Sequence, residues 1–372
     1  MRLDAYTHYI PQKFLERMNK VAGDHKDIGK RMRGIPAIYD LDVRKKVIDQ
    51  FRDKDYAQII SYAMPPIEHF AKGDDILEYL KLINDGFAEL CEKNPSYFPG
   101  WIAQVSLAIP EASIKEAERA LKMGALGIQI YTNVNDAPVD GPQFDQFWAR
   151  MNELKCPIWV HPSRGANHSD YITEKKSLYE MWWTFGWPME TAAFLARMIF
   201  SKNLDKYPDL KLILHHFGAI IPALEGRVGP GWDQLGTRTS DEDYGALLKS
   251  LKKRPLDYFK HSFYPDTATF TSEEDYAALR TGLKKRIFDY FKYGTWVDTA
   301  TFGGKGAMLC GLEFYPHDKI IFASDCPFDP EKGTMYIRET LRILDEYGMP
   351  KEDLDKVYYK NLERITGKKF VK

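Results

Sequence analysis

The sequence predicts an α/β protein folded as a (β/α)8 barrel of the TIM type, and three observations carry that prediction. Eight short, β-rich apolar runs recur along the 372 residues. Segments long enough for helices separate them, the alternation that builds a parallel sheet. Histidines and acids stand at the ends of several runs, where such a barrel gathers its functional groups. A doubly wound sheet shares the alternation, but the count of eight favours the barrel.

In order, the runs are MRLDAYTH (1–8), AQIISYA (57–63), GWIAQVSL (100–107), LGIQIYT (126–132), PIWVHP (157–162), LKLILHH (210–216), GTWVDTA (294–300) and KIIFASD (319–325). Helical patterns fill the gaps, among them EASIKEAERALKMG (111–124) and PQFDQFWARMNELK (142–155). The second ends at Lys155 with Pro157 close behind, a helix stop. The chain reads as one barrel domain over 1–372.

A tandem repeat interrupts the pattern. Residues 239–270 and 271–302 share 20 identities in 32 positions, including LKKR, DYFK and DTATF. Two copies are too few for a solenoid, so an internal duplication fits better. The second copy suits the seventh strand, because a helix and strand eight follow it directly. The first carries Pro265 just before its DTATF, which would remove a ladder hydrogen bond from a central strand. Residues 239–270 are therefore expected as an insertion between strands six and seven, capping the pocket mouth or building a subunit interface. A homodimer or larger homo-oligomer is the expected assembly.

Composition narrows the function classes. The chain is 44% hydrophobic and 14% aromatic, enough for a large core and an aromatic pocket. Lys+Arg 52 against Asp+Glu 53 leaves a net charge of −1, so nothing global points to nucleic acid or an anionic membrane. There is no long apolar leader or membrane-length apolar run. Cys91, Cys156, Cys310 and Cys326 are scattered without CxxC spacing and read as reduced thiols, so a cytoplasmic enzyme is expected.

The strand ends carry Asp4, Tyr6 and His8 on strand one, His161 on strand five, His215 and His216 on strand six, and Asp325 on strand eight. Alternation places Asp4, Tyr6 and His8 on one face. Histidines and a carboxylate converging on one mouth are what a divalent metal needs. Each alone is more often a structural residue than a ligand; their coincidence across four strands is what points to a centre. Alternation also turns His215 away from His216, so His215 reads as structural. Cys326 reads as packing rather than as a nucleophile.

Several stretches together resemble a known family. They are LDAYTHYIP (3–11), GALGIQIYTNVN (124–135), CPIWVHPSRG (156–165), the 185–228 segment with its GWPMET and HHFG, WVDTATF (296–302) and KIIFASDCPFDP (319–330). In this order they resemble the amidohydrolase-2 branch of the metal-dependent amidohydrolase superfamily, which includes aminocarboxymuconate-semialdehyde, γ-resorcylate and 5-carboxyvanillate decarboxylases. The resemblance runs from the N-terminus to about residue 365, broken by the duplicated segment. It implies that His161 and Asp325 are metal ligands and that His8 is the second histidine of the strand-one pair. It implies that His216 is the acid or base at a metal-bound water or substrate oxygen. Asp325 would ligate the metal or shuttle a proton. Asn361 matches a structural C-terminal asparagine.

Residue 6 departs from the family's D-x-H-x-H pattern, since tyrosine stands where a histidine is usual. Three roles stay open for Tyr6: an anionic ligand, a hydroxyl that orients substrate beside a three-ligand metal, or the mark of a lost metal. The second is preferred, because catalytic sites often keep three protein ligands and an open position.

For the substrate, Arg33 and Arg164 could each pair with a carboxylate, or form ordinary surface salt bridges. Trp182, Trp183, Phe185 and Trp187 cluster after strand five, and Trp183 and Trp187 are expected to stack on a planar ring while the remainder pack in the core. The implied enzyme is a metal-dependent, non-oxidative decarboxylase of an aromatic or unsaturated acid, with zinc the first choice of metal and manganese or iron the others. The alternative is a hydrolase or hydratase using metal-bound water. A binding barrel with a decayed site is the third reading.

Overall fold

A computed structural model describes residues 1–21, 34–227 and 287–371. Barrel strands β1 (Arg2–His8) and β2 (Tyr56–Ser61) pair in parallel, and β2 pairs with the first of two short pieces of β3, Gly100–Trp101 and Ala103–Gln104. The second piece of β3 continues to β4 (Ile128–Tyr131), β5 (Pro157–His161), β6 (Lys211–Leu214), β7 (Trp296–Asp298) and β8 (Ile320–Ile321), all parallel. Ala5 N–H donates to Phe322 O at 2.8 Å and His8 N–H to Cys326 O at 2.9 Å, closing β8 onto β1. The barrel is complete, with each strand within a few residues of its expected run.

Helices lie outside the strands. Pro110 opens helix Pro110–Lys122, where its missing N–H costs nothing, and Arg119 and Lys122 face the negative end of the helix dipole. Asp40 caps helix Leu41–Asp49 by accepting from the N–H groups of Asp42 and Val43. The segment expected as one helix over 142–155 is a 3-10 turn, Pro142–Phe144, followed by helix Asp145–Glu153. Among the described residues, no helix is long and apolar enough to cross a membrane.

Two apolar layers result. Leu3, Ala57, Ile59, Ile102, Trp159 and Ile213 fill the barrel interior, so its lower part is packed rather than open. A larger cluster joins the strands' outer faces to the helices. Residues 239–270 and the first part of their copy lie outside the described residues, as does Arg33.

Strand β1 departs from simple alternation. It pairs Asp4 with Gln58 but Thr7 with Ile60, so one extra residue lies between them. This bulge lets Leu3, Ala5 and Tyr6 all face the barrel interior. Asp4 turns outward instead, accepting from Tyr56 Oη at 2.5 Å, from Ser324 N at 2.9 Å and from Ser324 Oγ. The expected common face of Asp4, Tyr6 and His8 therefore does not form. Asp4 clasps β8 to β1 while the other two look into the mouth.

Candidate active site

The floor of the mouth is Tyr6. Its hydroxyl donates to Gln129 Oε1 at 2.6 Å, and Gln129 Nε2 donates to Gln104 Oε1 at 2.9 Å. Burial pushes the phenol well above its usual range, and the charges of Asp298 and Asp325 push the same way. Tyr6 is thus a neutral phenol that spends its proton on a barrel amide. The hydroxyl expected to face substrate faces Gln129, and tyrosinate is disfavoured at this position. Its ring meets the edges of His8 and His215 at centroid distances of 4.9 and 4.5 Å.

Above the ring, three imidazoles converge. His8 Nδ1 lies 3.2 Å from Tyr62 O, His161 Nδ1 2.7 Å from Pro162 O, and His215 Nδ1 2.7 Å from Asp298 Oδ2. His8 Nδ1 also lies 3.0 Å from Ser61 Oγ. With Nδ1 engaged in each ring, Nε2 is the nitrogen left facing the mouth. Ring nitrogens of the three approach within 4.8 Å of one another, as do ligand atoms of His215, His216 and Asp325. The buried Nε2 of His216 has no hydrogen-bond partner. Those of His8 and His215 face Asp325 Oδ1, at 3.1 and 3.5 Å. Imidazole nitrogens converging on one carboxylate, with Nδ1 anchored behind them, are a donor set that could hold a divalent metal.

The electrostatics follow from burial and neighbours. Burial pushes His161 and His216 well below the usual imidazole range, helped by the charge of His215. Burial also lowers His8, against the pull of Asp325. Burial works the same way on His215, but Asp298 and Asp325 overcome it and push it up to about 9. At Asp325, burial acts upward, yet His215 and His8 hold the carboxyl well below the carboxylate range. The site therefore presents neutral His8, His161 and His216, with a protonated His215 paired to Asp298 and to an ionised Asp325.

Sequence alternation misplaced His215, because β6 ends at Leu214 and the pleat ends with it. The next residues enter a left-handed turn: φ is +57° at His216, +56° at Phe217, +69° at Gly218 and +60° at Ala219. Ala219 N–H closes it on His216 O at 2.8 Å. Both histidines consequently reach the mouth, with ring centroids 3.7 Å apart. Asp298 anchors the turn, with Oδ1 accepting from the N–H groups of His216 and Ala300, both at 3.1 Å. Asp298 is a functional residue absent from the sequence expectations, although the strand-end rule that marks Asp325 applies equally to it.

Comparison with known proteins agrees with this geometry. The amidohydrolase family profile matches residues 46–367. The chain belongs to the amidohydrolase family. It is 28% identical over 251 residues to a 2-amino-3-carboxymuconate-6-semialdehyde decarboxylase from Dictyostelium discoideum, covering 63% of this chain and 67% of the relative. It is 28% identical over 238 residues to a γ-resorcylate decarboxylase from Rhodococcus jostii, covering 61% and 68%. A Polaromonas dihydroxybenzoic acid decarboxylase, solved with manganese and 2-nitroresorcinol, superposes with a TM-score of 0.70 at 20% identity, covering 98% of this chain and 96% of that one. At that identity the superposition shows a shared barrel fold.

In this amidohydrolase, a cavity of about 320 Å³ opens beside His216 and is walled by Trp183, Trp187, Ile220, Thr301 and Phe302. The Trp187 ring lies 16° from parallel with that of His216 at 6.5 Å, and Phe302 meets the same imidazole at 5.0 Å. Trp182 is buried at 5% exposure, as expected of a core residue, whereas Phe185 is 71% exposed rather than packed. Arg164 is half-buried, with Nη1 3.4 Å from Glu190 Oε1, and its carbonyl accepts the Trp187 indole N–H at 3.2 Å. No arginine lines the cavity among the described residues, and Arg33 lies outside them. Cys326 is a buried free thiol against Arg44, and Asn361 ties Ile320 O and His317 O.

Proposed function

We propose that this amidohydrolase-family protein is a metal-dependent, non-oxidative decarboxylase of an aromatic or unsaturated carboxylic acid. The observation that carries the reading is the convergence of anchored imidazoles and Asp325 beside an aromatic-walled cavity that His216 enters. The names of the curated relatives support it. His8, His161 and Asp325 are the residues we assign to the ion. Manganese, as in the Polaromonas structure, and zinc both suit imidazole and carboxylate donors. When bound, the ion supplies Lewis acidity that draws charge from the substrate carboxylate and the oxygen beside it.

The chain's own groups supply the rest. Trp187 and Phe302 hold a planar ring against His216 and exclude water from it. His216, neutral in its buried setting, first takes a proton from solvent on Nε2. The carbon–carbon bond then breaks with its electron pair left on the ring carbon, and CO2 departs. That carbon takes this proton, so His216 returns to neutral and one proton is consumed for each CO2 released. Asp325, held ionised by its histidines, stays a carboxylate throughout. Arg164 supports the Trp187 wall through its backbone carbonyl, and its guanidinium is our candidate partner for a substrate carboxylate. We place the enzyme in the cytoplasm, a reading supported by four unpaired cysteines and tested by fractionation. We also expect a homo-oligomer, which sedimentation tests.

A panel of hydroxybenzoates and dienoic acids tests the reaction. Decarboxylation gives CO2 without solvent oxygen in the organic product, and chelation abolishes it until manganese or zinc is restored. Product carrying ¹⁸O from labelled water, with no CO2, would overturn this reading in favour of the hydrolase.

A further inference from the structure

We infer that this chain has moved one metal ligand around the barrel: His215, at the end of β6, takes the place that residue 6 has given up on β1, so that His8, His161, His215 and Asp325 form the donor set. The inference rests on the metal-dependent reading above and specifies which residues make the centre.

Three observations lead to it. Tyr6 is committed elsewhere, since its hydroxyl donates to Gln129 at 2.6 Å and that amide is held in turn by Gln104. Freeing the phenol would strand a buried amide oxygen, which costs roughly 1–3 kcal/mol. His215 matches His8 and His161 in the geometry that ligation requires. All three give Nδ1 to a protein acceptor, and their ring nitrogens lie within 4.8 Å of one another. Donor atoms around a tetrahedral ion stand roughly 3.3 Å apart, so the three imidazoles need only draw together, and Asp325 Oδ1 already stands 3.1 Å from His8 Nε2 and 3.5 Å from His215 Nε2.

The third observation is Asp298. It is fully buried, and Oδ2 sits 2.7 Å from His215 Nδ1. A carboxylate behind a ligating histidine fixes the ring and raises its basicity, and its loss typically weakens metal binding 10- to 100-fold. Among the three anchored imidazoles, His215 alone has a carboxylate behind it; His8 and His161 have backbone carbonyls. The ring contact between Tyr6 and His215, 4.5 Å and 80°, shows the exchange in space: the phenol lies under the imidazole as packing.

The experiment compares wild type with Tyr6→Phe, His215→Gln, Asp298→Asn and His161→Ala. Manganese and zinc affinity is measured by chelator competition with elemental analysis, and each variant's visible spectrum is recorded with cobalt(II) bound. Circular dichroism and thermal melts establish that each variant is folded. Wild type is expected to take up about one ion per chain. Tyr6→Phe should keep the wild-type affinity and cobalt bands. His215→Gln should lose at least tenfold in affinity and shift the bands, and Asp298→Asn should weaken binding 10- to 100-fold with a smaller shift. Wild-type affinity and spectrum in His215→Gln, or loss of the ion in Tyr6→Phe, overturns the ligand exchange while leaving a metal enzyme in place. A folded wild-type chain that takes up no ion overturns both the exchange and the metal-dependent reading. If His215→Gln does not fold, Asp298→Asn decides: unchanged affinity and bands there overturn the exchange.

Discussion

One carboxylate, Asp298, holds both His215 and His216: Oδ2 lies 2.7 Å from the first residue's Nδ1 and Oδ1 lies 3.1 Å from the second's backbone nitrogen. The same Oδ1 also takes the Ala300 N–H at 3.1 Å. Asp298→Ala leaves these donors buried without an acceptor, each unmade bond to a charged group being among the costly kind. A stability loss of roughly 3 kcal/mol is expected in urea unfolding. Asp298→Asn retains one oxygen acceptor and should lose markedly less. Equal losses in the two variants would mean that packing rather than hydrogen bonding sets the cost.

His216 is assigned the proton transfer, and its side chain is separable from ion binding. Its ring lies between Trp187 and Phe302 with Nε2 unpartnered. His216→Gln preserves volume and polarity but cannot carry a proton. A fall in kcat of roughly 10²- to 10⁴-fold is expected, with KM and metal content close to wild type. Loss of metal in step with activity would move His216 from proton transfer to ligation.

Gly218 occupies the third position of the left-handed turn, at φ +69°, and a Cβ there would collide with the Tyr315 hydroxyl. Gly218→Ala therefore meets both a backbone penalty and a clash, together about 2 kcal/mol or more. Because His216 begins the same turn, kcat should fall with stability, and a melt combined with steady-state kinetics reads both. A variant as stable as wild type would show that the turn adapts without the glycine.

Much of this architecture is legible in the sequence because it is local. The eight strands declare themselves as short apolar runs, and His161 and Asp325 stand where parallel strands end. What is not legible depends on register or on distant partners. The bulge before Thr7 inverts the facing of Asp4, and no period-two reading of DAYTH contains it. The end of β6 at Leu214 releases His215 from the pleat, a boundary shift of two residues that changes a structural histidine into a candidate ligand. The fate of the Tyr6 hydroxyl depends on Gln129, 123 residues away along the chain. Asp298, in WVDTATF at the end of β7, is within reach of the same strand-end rule as Asp325.

Asp4 offers a pH-dependent test of the clasp between β1 and β8. Burial pushes its carboxyl up to about 6 from an ordinary 3.8, against the hydrogen bonds from Ser324 and Tyr56 that favour the ion. A carboxyl raised on folding contributes stability that is fully present below the unfolded value, near 3.8, and is lost as pH rises through about 6. The wild type thus forfeits on the order of 1 kcal/mol through this group between about pH 5 and pH 8. Asp4→Asn has no such group, so its stability relative to wild type should improve by that amount over the same interval. Urea unfolding of both proteins at the two pH values measures the difference directly, and subtracting them cancels the other titrations. A difference that stays constant with pH would mean that Asp4 is ionised in the folded barrel as readily as in the unfolded chain. The hydrogen bonds to Ser324 and Tyr56 would then outweigh the desolvation of its charge.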